Sequence, residues 1–233
     1  MRVEQIGNLT LVCADCMEVM RGLEEGSFDI AVCDPDYGIG KCLAGGNYMA
    51  RYKGFVDNLG GKPGMDWFES LRRVSHNQVV WGGNYFDFLP PTRCFLVWHK
   101  KDGPKNFADC EYAWTSFDRN ARVFSSARNP KGVSGKGKRI HVCQKPVQLY
   151  MWTYDLLLSE GGSVLDTHMG SGSSAIAAYE TGHPYLGIEI NEEYFERAVE
   201  RIRKHVEAHP KTNPLFPYLQ KTNDGEWQMQ VKL

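Results

Sequence analysis

The hydrophobic positions change period along the chain, and the changes predict strands alternating with helices. Leu9-Thr10-Leu11-Val12-Cys13 is a short apolar run of strand length, and Asp15 to Leu23 then puts Met17, Met20 and Leu23 on one helical face. Phe28-Asp29-Ile30-Ala31-Val32-Cys33 is a second apolar run, partly β-branched and closed by a proline turn, as a buried strand should be. Asp66 to Val74 predicts a helix with Trp67, Leu71 and Val74 facing inward. Val79-Val80-Trp81, Phe95-Leu96-Val97-Trp98 and Glu111 to Phe117 predict three further strands, with Pro90-Pro91 breaking the chain between the first two.

The C-terminal half repeats the alternation more regularly. Pro146 is placed as a first helical residue, and Val147, Tyr150, Met151, Tyr154, Leu157 and Leu158 follow at helical spacing until Gly161-Gly162. Ser163 to Asp166 predicts a strand, Gly170-Ser171-Gly172 a glycine loop, and Ala175 to Thr181 a helix closed by Gly182. Tyr185 to Glu189 is a strand ending in an acid. Asn191 caps a long helix with Phe195, Ala198, Val199, Ile202 and Val206 on its inner face. The tail from His209 to Leu233 shows no period and is expected to strap over the domain. These elements predict one α/β domain over residues 1–233, with a mostly parallel twisted sheet and helices on both faces.

Two strand ends carry candidate chemistry. In open α/β sheets, ligands sit beyond the carboxyl ends of the strands. Asp34-Pro35-Asp36-Tyr37 follows such an end and offers a carboxylate, a prolyl carbonyl held by a fixed φ, and an aromatic ring. A carboxylate and a carbonyl can each accept one hydrogen of an –NH2 group while a ring stacks on a flat heterocycle. The same residues would equally make an Asx-type turn with a packed tyrosine. Downstream, strand, glycine loop, helix and acid-ended strand form a nucleoside-binding βαβ unit. There the glycines allow close backbone approach and Glu189 reaches ribose hydroxyls. Gly170-x-Gly172-x-x-Ala175 would also suit a nicotinamide dinucleotide. Asp166 argues against that, because a carboxylate beside the glycines meets an ammonium and repels a pyrophosphate.

Two segments break the pattern. Lys41 to Gly64 has no period and interleaves Lys41, Arg51 and Lys53 with Tyr48, Tyr52 and Phe55, a mixture suited to unstacked bases and phosphates. Arg119 to Lys145 is glycine-dotted and contains Arg128, Lys131, Lys136, Lys138 and Arg139 with no acidic residue. A flexible basic segment in a chain of formal charge −1 is the electrostatic footprint of a polyanion partner. Near-neutral overall charge excludes a protein that binds polyanions with its whole surface. Seven scattered cysteines, with no leader pattern or membrane-length apolar run, predict reduced thiols in a cytoplasmic protein. Cys13 and Cys16 form a CxxC, but no second pair completes a zinc site, so no metal is expected.

Together the motifs carry a resemblance. Asp34-Pro35-Asp36-Tyr37 resembles the Asp-Pro-Pro-Tyr motif of amino-methylating DNA methyltransferases, and Asp166 to Ser174 resembles their S-adenosylmethionine loop. His141-Val142-Cys143-Gln144-Lys145-Pro146 is similar to the His-Pro-Thr-Gln-Lys-Pro segment of one subgroup. Catalytic motif first and cofactor loop last resembles the circularly permuted β class of the family, over most of the chain from Leu9 to Val206.

The resemblance implies a Rossmann-like methyltransferase fold, S-adenosylmethionine as cofactor and double-stranded DNA as partner, with a homodimer left open. It implies that Asp34, the Pro35 carbonyl and Tyr37 act on a flipped-out base. Asp166, Gly170, Ser171, Gly172 and Ser173 would hold the cofactor, Glu189 would bind its ribose, and Lys145 would lie near its methionine carboxylate. An Asp rather than a Ser at the first motif position implies adenine N6 over cytosine N4. The segments 41–64 and 119–145 fall where target recognition is expected. Asp36 departs from the motif, where a proline would stand, and is expected to loosen the turn and add charge beside the base pocket.

Overall fold

A computed structural model describes residues 1–39, 61–101, 108–127, 140, 141 and 143–211, together with the backbone of 219–221 and 227–229. Nine strands form one sheet in the order β1-β2-β9-β8-β3-β4-β6-β5-β7. The strands are β1 Arg2–Ile6, β2 Leu9–Cys13, β3 Phe28–Cys33, β4 Ser75–Trp81, β5 Phe95–Lys100, β6 Cys110–Thr115, β7 Arg122–Ser126, β8 Val164–Asp166 and β9 Tyr185–Glu189. The five central strands from β2 to β4 run parallel, and β1 and β6 add antiparallel on either side of them. The helices are α1 Cys16–Arg21, α2 Met65–Val74, α3 Val147–Leu157, α4 Ser173–Thr181 and α5 Glu192–Ala208. Two short strands, β10 Leu219–Lys221 and β11 Trp227–Met229, pair separately in the tail.

The sheet has two apolar faces, as period-2 alternation in a buried strand requires. Ile30 and Val32 of β3 join Tyr154 of α3, Ala175 of α4 and Phe195 of α5 in one cluster. Ala31 and Cys33 of the same strand join Met20 of α1 and Trp67, Phe68 and Leu71 of α2 in the other. Helix ends are set locally. The Asp15 side chain accepts from Met17 N, Asn191 accepts from Tyr194 N, and Gly182 closes α4 with a left-handed φ of 77°.

Several details differ from expectation. Strand β1 precedes the first one read from the sequence and packs on its edge. Residues 122–126 of the basic segment are strand β7, paired parallel to β5, and Arg119 donates to the Leu156 carbonyl at the end of α3. Pro146 has a ψ of 141° and lies just outside α3, which stops at Leu157. Its missing N–H is harmless at a helix start, and its extended ψ fixes the chain's entry angle.

Candidate active site

The order of the strands selects the crevice. From β8 the chain crosses by way of α4 to β9 on one side, whereas β3 connects by way of α2 to β4 on the other, although β8 and β3 are neighbours. Their carboxyl ends therefore flank the switch point of the sheet, where crossovers diverge and leave a crevice. Asp34 follows β3, Asp166 ends β8, and Glu189 ends β9 next door.

At the β3 end, both oxygens of Asp34 are engaged. Oδ1 accepts from the Tyr37 hydroxyl, and Oδ2 lies 2.5 Å from Lys145 Nζ. Lys145 also donates to the Tyr37 hydroxyl at 3.0 Å and stands 3.1 Å from Glu111 Oε2, while Lys100 Nζ is 2.5 Å from Glu111 Oε1. The ammonium of Lys145 sits near the rings of Tyr37 and Trp81, 5.6 and 5.7 Å from their centroids. Its side chain is only 3% exposed. Burial works against its charge, but Asp34 and Glu111 more than offset that and hold the amine above its ordinary range. Burial pushes the Asp34 carboxyl up against the pull of Lys145. Burial also raises Glu111, but Lys145 and Lys100 outweigh it and bring that carboxyl down to about 2.

Tyr37 does not present a bare ring. Tyr85 stacks on one face with centroids 5.1 Å apart and planes 11° from parallel. A Cβ on Gly82 would come within 2.1 Å of the Tyr37 ring, so only a glycine fits there, and its left-handed φ of 69° has the same requirement. Asp36 turns back on its own loop, its Oδ1 accepting from Gly38 N at 2.9 Å. It tethers the turn instead of loosening it, because a short carboxylate satisfies a nearby backbone N–H that a proline could not.

At the β8 end, the glycine loop is built to lie close to something. Gly170 and Gly172 have left-handed φ values of 53° and 71°, and a Cβ on Gly172 would meet Ile202 Cδ1 at 2.8 Å. Glu189 Oε2 accepts from Gly170 N at 2.8 Å and Oε1 from Asn191 N at 2.9 Å, which ties the β9 end to the loop. Arg201 of α5 supports the loop from behind, donating to the Ser171 carbonyl at 2.7 Å and Ser173 Oγ at 3.0 Å. His141 packs on Tyr194 with centroids 4.3 Å apart, and its ring would be 3.6 Å from a Cβ on Gly170. Asp166 accepts from His168 N, Ser174 Oγ and the Tyr185 hydroxyl, and no cation pairs with it among the described residues. Burial pushes its carboxyl up to about 7.

These features fit an adenosyl sulfonium amino acid. A buried carboxyl without a counter-cation suits an ammonium, left-handed glycines allow close approach of a nucleoside, and Glu189 keeps lone pairs for hydroxyls. Metal ligation is a different matter. Among the described residues Glu180, His205 and His209 bring ligand atoms within 4.8 Å of one another, on the opposite ends of α4 and α5. Lys211 Nζ already lies 2.8 Å from Glu180 Oε2 there. No helix among the described residues is long and apolar enough to cross a membrane.

The structure brings together Asp34, Tyr37 and Lys145 at one strand end, and Asp166, Gly170, Ser171, Gly172, Ser173 and Glu189 at the next. Lys145 pairs with Asp34, whereas the resemblance implied that it would lie near the cofactor's methionine carboxylate. The predicted DNA contacts Lys41, Arg51, Lys53, Arg128, Lys131, Lys136, Lys138 and Arg139 all lie outside the described residues. Sequence reading missed Glu111 and Tyr85. Tyr85 carried a signal, since Gly82-Gly83-Asn84-Tyr85 directly follows a strand.

The Type II methyltransferase M.HpaI of Haemophilus parainfluenzae is 22% identical over 82% of this chain and 73% of its own length. The Type II methyltransferase M.HindIII of Haemophilus influenzae is 36% identical over a shorter stretch, 30% of this chain and 23% of that protein. In fold, the M1.HpyAVI–SAM complex superposes with a TM-score of 0.51 at 24% identity, covering 83% of this chain and 98% of that one. The cytosine-N4-specific PvuII DNA methyltransferase superposes at 0.56 with 13% identity, covering 88% and 94%. The DNA methylase family of N6 and N4 methyltransferases matches residues 77–200, more than half of the sequence. With that match spanning the glycine loop and its flanking strands, the chain belongs to the DNA methylase family, as an S-adenosylmethionine-dependent DNA amino-methyltransferase.

Proposed function

We propose that this protein methylates the exocyclic N6 amine of adenine in double-stranded DNA, acting on a base flipped out of the helix. The observation that carries the reading is the position of Asp34. It is an acceptor carboxylate at the switch point of the sheet, one strand away from the glycine loop and backed by a tyrosine ring. S-adenosylmethionine supplies an electrophilic methyl group when bound.

The chain's own residues do the rest. Asp34 and the Pro35 carbonyl accept the two amine hydrogens, which favours a pyramidal nitrogen whose lone pair points toward the glycine loop. Without such acceptors that lone pair stays delocalised in the ring. The transfer is direct and needs no thiol, in keeping with the raised pKa of buried Cys33, which burial holds in its neutral form. Acceleration comes from orientation and from acceptors already in place. Asp166, Gly170, Ser171, Gly172, Ser173 and Glu189 are assigned to the cofactor, with Asp166 facing its ammonium and Glu189 its ribose. A base that stacks on Tyr37 meets Tyr85 first, so Tyr85 either swings aside or extends the aromatic platform. The basic residues of 41–64 and 119–145 are assigned to the phosphate backbone.

Adenine is favoured by the Asp at the first motif position. Cytosine N4 is the second reading, supported by the fold likeness to a cytosine-N4-specific enzyme. Mass spectrometry of nucleosides from DNA of a methylation-free host expressing the protein tests both. N6-methyladenine is expected, N4-methylcytosine would move the target, and no modified base would refute both.

A further inference from the structure

Four charged side chains alternate in sign across the crevice. Lys100 Nζ lies 2.5 Å from Glu111 Oε1, Glu111 Oε2 lies 3.1 Å from Lys145 Nζ, and Lys145 Nζ lies 2.5 Å from Asp34 Oδ2. The row spans four neighbouring strands, β5, β6, β4 and β3 in that order, with Lys100 on β5, Glu111 on β6, Asp34 just after β3 and Lys145 just before α3. Trp81 at the end of β4 pairs with Ala113, and Glu111 stands two residues beyond Ala113 on antiparallel β6. It therefore projects past the carboxyl end of β4, on the same side as Asp34.

In this arrangement Asp34 has little left for a substrate. Tyr37 occupies one oxygen and the Lys145 ammonium the other. An amine hydrogen is a weak donor beside an ammonium, and it would compete for the same carboxylate in a poorly hydrated site. Lys145 cannot yield by losing its proton, since two carboxylates hold it charged, nor by retreating to water from a side chain 3% exposed. A second acceptor must be within reach. Glu111 Oε2 is that acceptor: it already lies within ion-pair distance of the ammonium, and no other group among the described residues donates to it.

We infer that Glu111 is a positioning residue for amine methylation, which takes over the Lys145 ammonium from Asp34 when the target amine docks. The inference rests on the amine-methylation reading of the Asp34 site. Lys100 holds the far oxygen of Glu111, so the receiving carboxylate is fixed before the ammonium arrives. If Glu111 served only to balance Lys100, it could give that residue both oxygens; instead it divides them between two cations.

Single-turnover transfer to a defined duplex, at saturating cofactor and DNA, tests this with E111Q, K145M and the double variant. E111Q leaves Asp34 as the ammonium's only carboxylate partner, so the rate constant should fall at least about tenfold, while the cofactor Kd measured by calorimetry stays within about twofold. In the K145M background, adding E111Q should change the rate less than about twofold, because the residue acts through Lys145. Equal losses in both backgrounds, or an unchanged rate in E111Q, would overturn the inference. A crystal structure of the wild-type protein with S-adenosylhomocysteine and duplex gives a second readout that does not depend on the variants folding. There Lys145 Nζ should lie in contact with Glu111 and out of contact with Asp34; an ammonium still seated on Asp34 beside a docked amine overturns the proposal. Failure of the wild-type protein to transfer methyl groups would count against the amine-methylation reading, and the ammonium's position in that complex would still decide the part played by Glu111.

Discussion

Replacing Glu189 tests how the glycine loop is held and whether it serves the cofactor. Its two oxygens accept from Gly170 N at 2.8 Å and Asn191 N at 2.9 Å, and the residue is 8% exposed. Glu189→Ala removes both acceptors from buried backbone donors and also removes the charge assigned to the ribose hydroxyls. A hydrogen bond to a charged group contributes about 1.5–3 kcal/mol. Without the hydrogen bond to the ribose alone, cofactor binding should therefore weaken by roughly 10- to 150-fold. The two orphaned N–H groups should in addition lower thermal stability, because a buried unsatisfied donor costs about 1–3 kcal/mol. Glu189→Gln separates the effects. One amide oxygen can still accept from Gly170 N or Asn191 N, but the –NH2 faces the other donor, so stability should lie between wild type and alanine. Titration calorimetry with S-adenosylmethionine and thermal denaturation of the same samples give the two numbers. Unchanged cofactor affinity in Glu189→Ala, with only a lower melting temperature, would show that Glu189 is a loop anchor and not a ribose acceptor.

Other expectations concern the acceptors, the turn and the charges. Asp34→Ala should slow methyl transfer by about 100-fold or more, roughly 3 kcal/mol, with cofactor affinity little changed; near-normal turnover would remove Asp34 from the reaction. Asp36→Pro, which the family motif alone would make neutral or favourable, should instead lower activity, because Gly38 N loses its acceptor. Asp36→Asn keeps that acceptor and should retain activity, and steady-state rates on one duplex compare them. Burial holds Asp166 at about 7, above its ordinary carboxylate value, so the folded state keeps a proton that the unfolded chain releases. Its contribution to stability is full below the ordinary carboxylate range and is lost as the pH rises toward 7. Urea midpoints measured from pH 5 to 8 should show that decline, with Asp166→Asn flattening it. Neutralising Lys136, Lys138 and Arg139 together should reduce the slope of log K against log salt by about 0.9 for each phosphate that the protein no longer neutralises; an unchanged slope would place the DNA face elsewhere.

What the sequence determined by itself was local. The apolar run of β3 matched residue for residue, because a doubly buried strand must be apolar at nearly every position and a proline turn ends it. The glycine loop and the Asn191 cap were legible for the same kind of reason, since each is a short-range backbone requirement written in a few adjacent residues. Edge strands were not. In β1 only Ile6 is buried, and β7 is half-exposed, so neither needed a pattern that distinguishes it from a loop; each is a strand because a neighbour offers it hydrogen bonds. The charged row lay furthest beyond reach. Lys145 meets a tyrosine 108 residues away, and Glu111 joins them only because β6 returns antiparallel beside β4. A charge carries no period, and its burial is tolerable only next to its opposite. Which opposite that is depends on the order of the strands, and that order belongs to the tertiary structure.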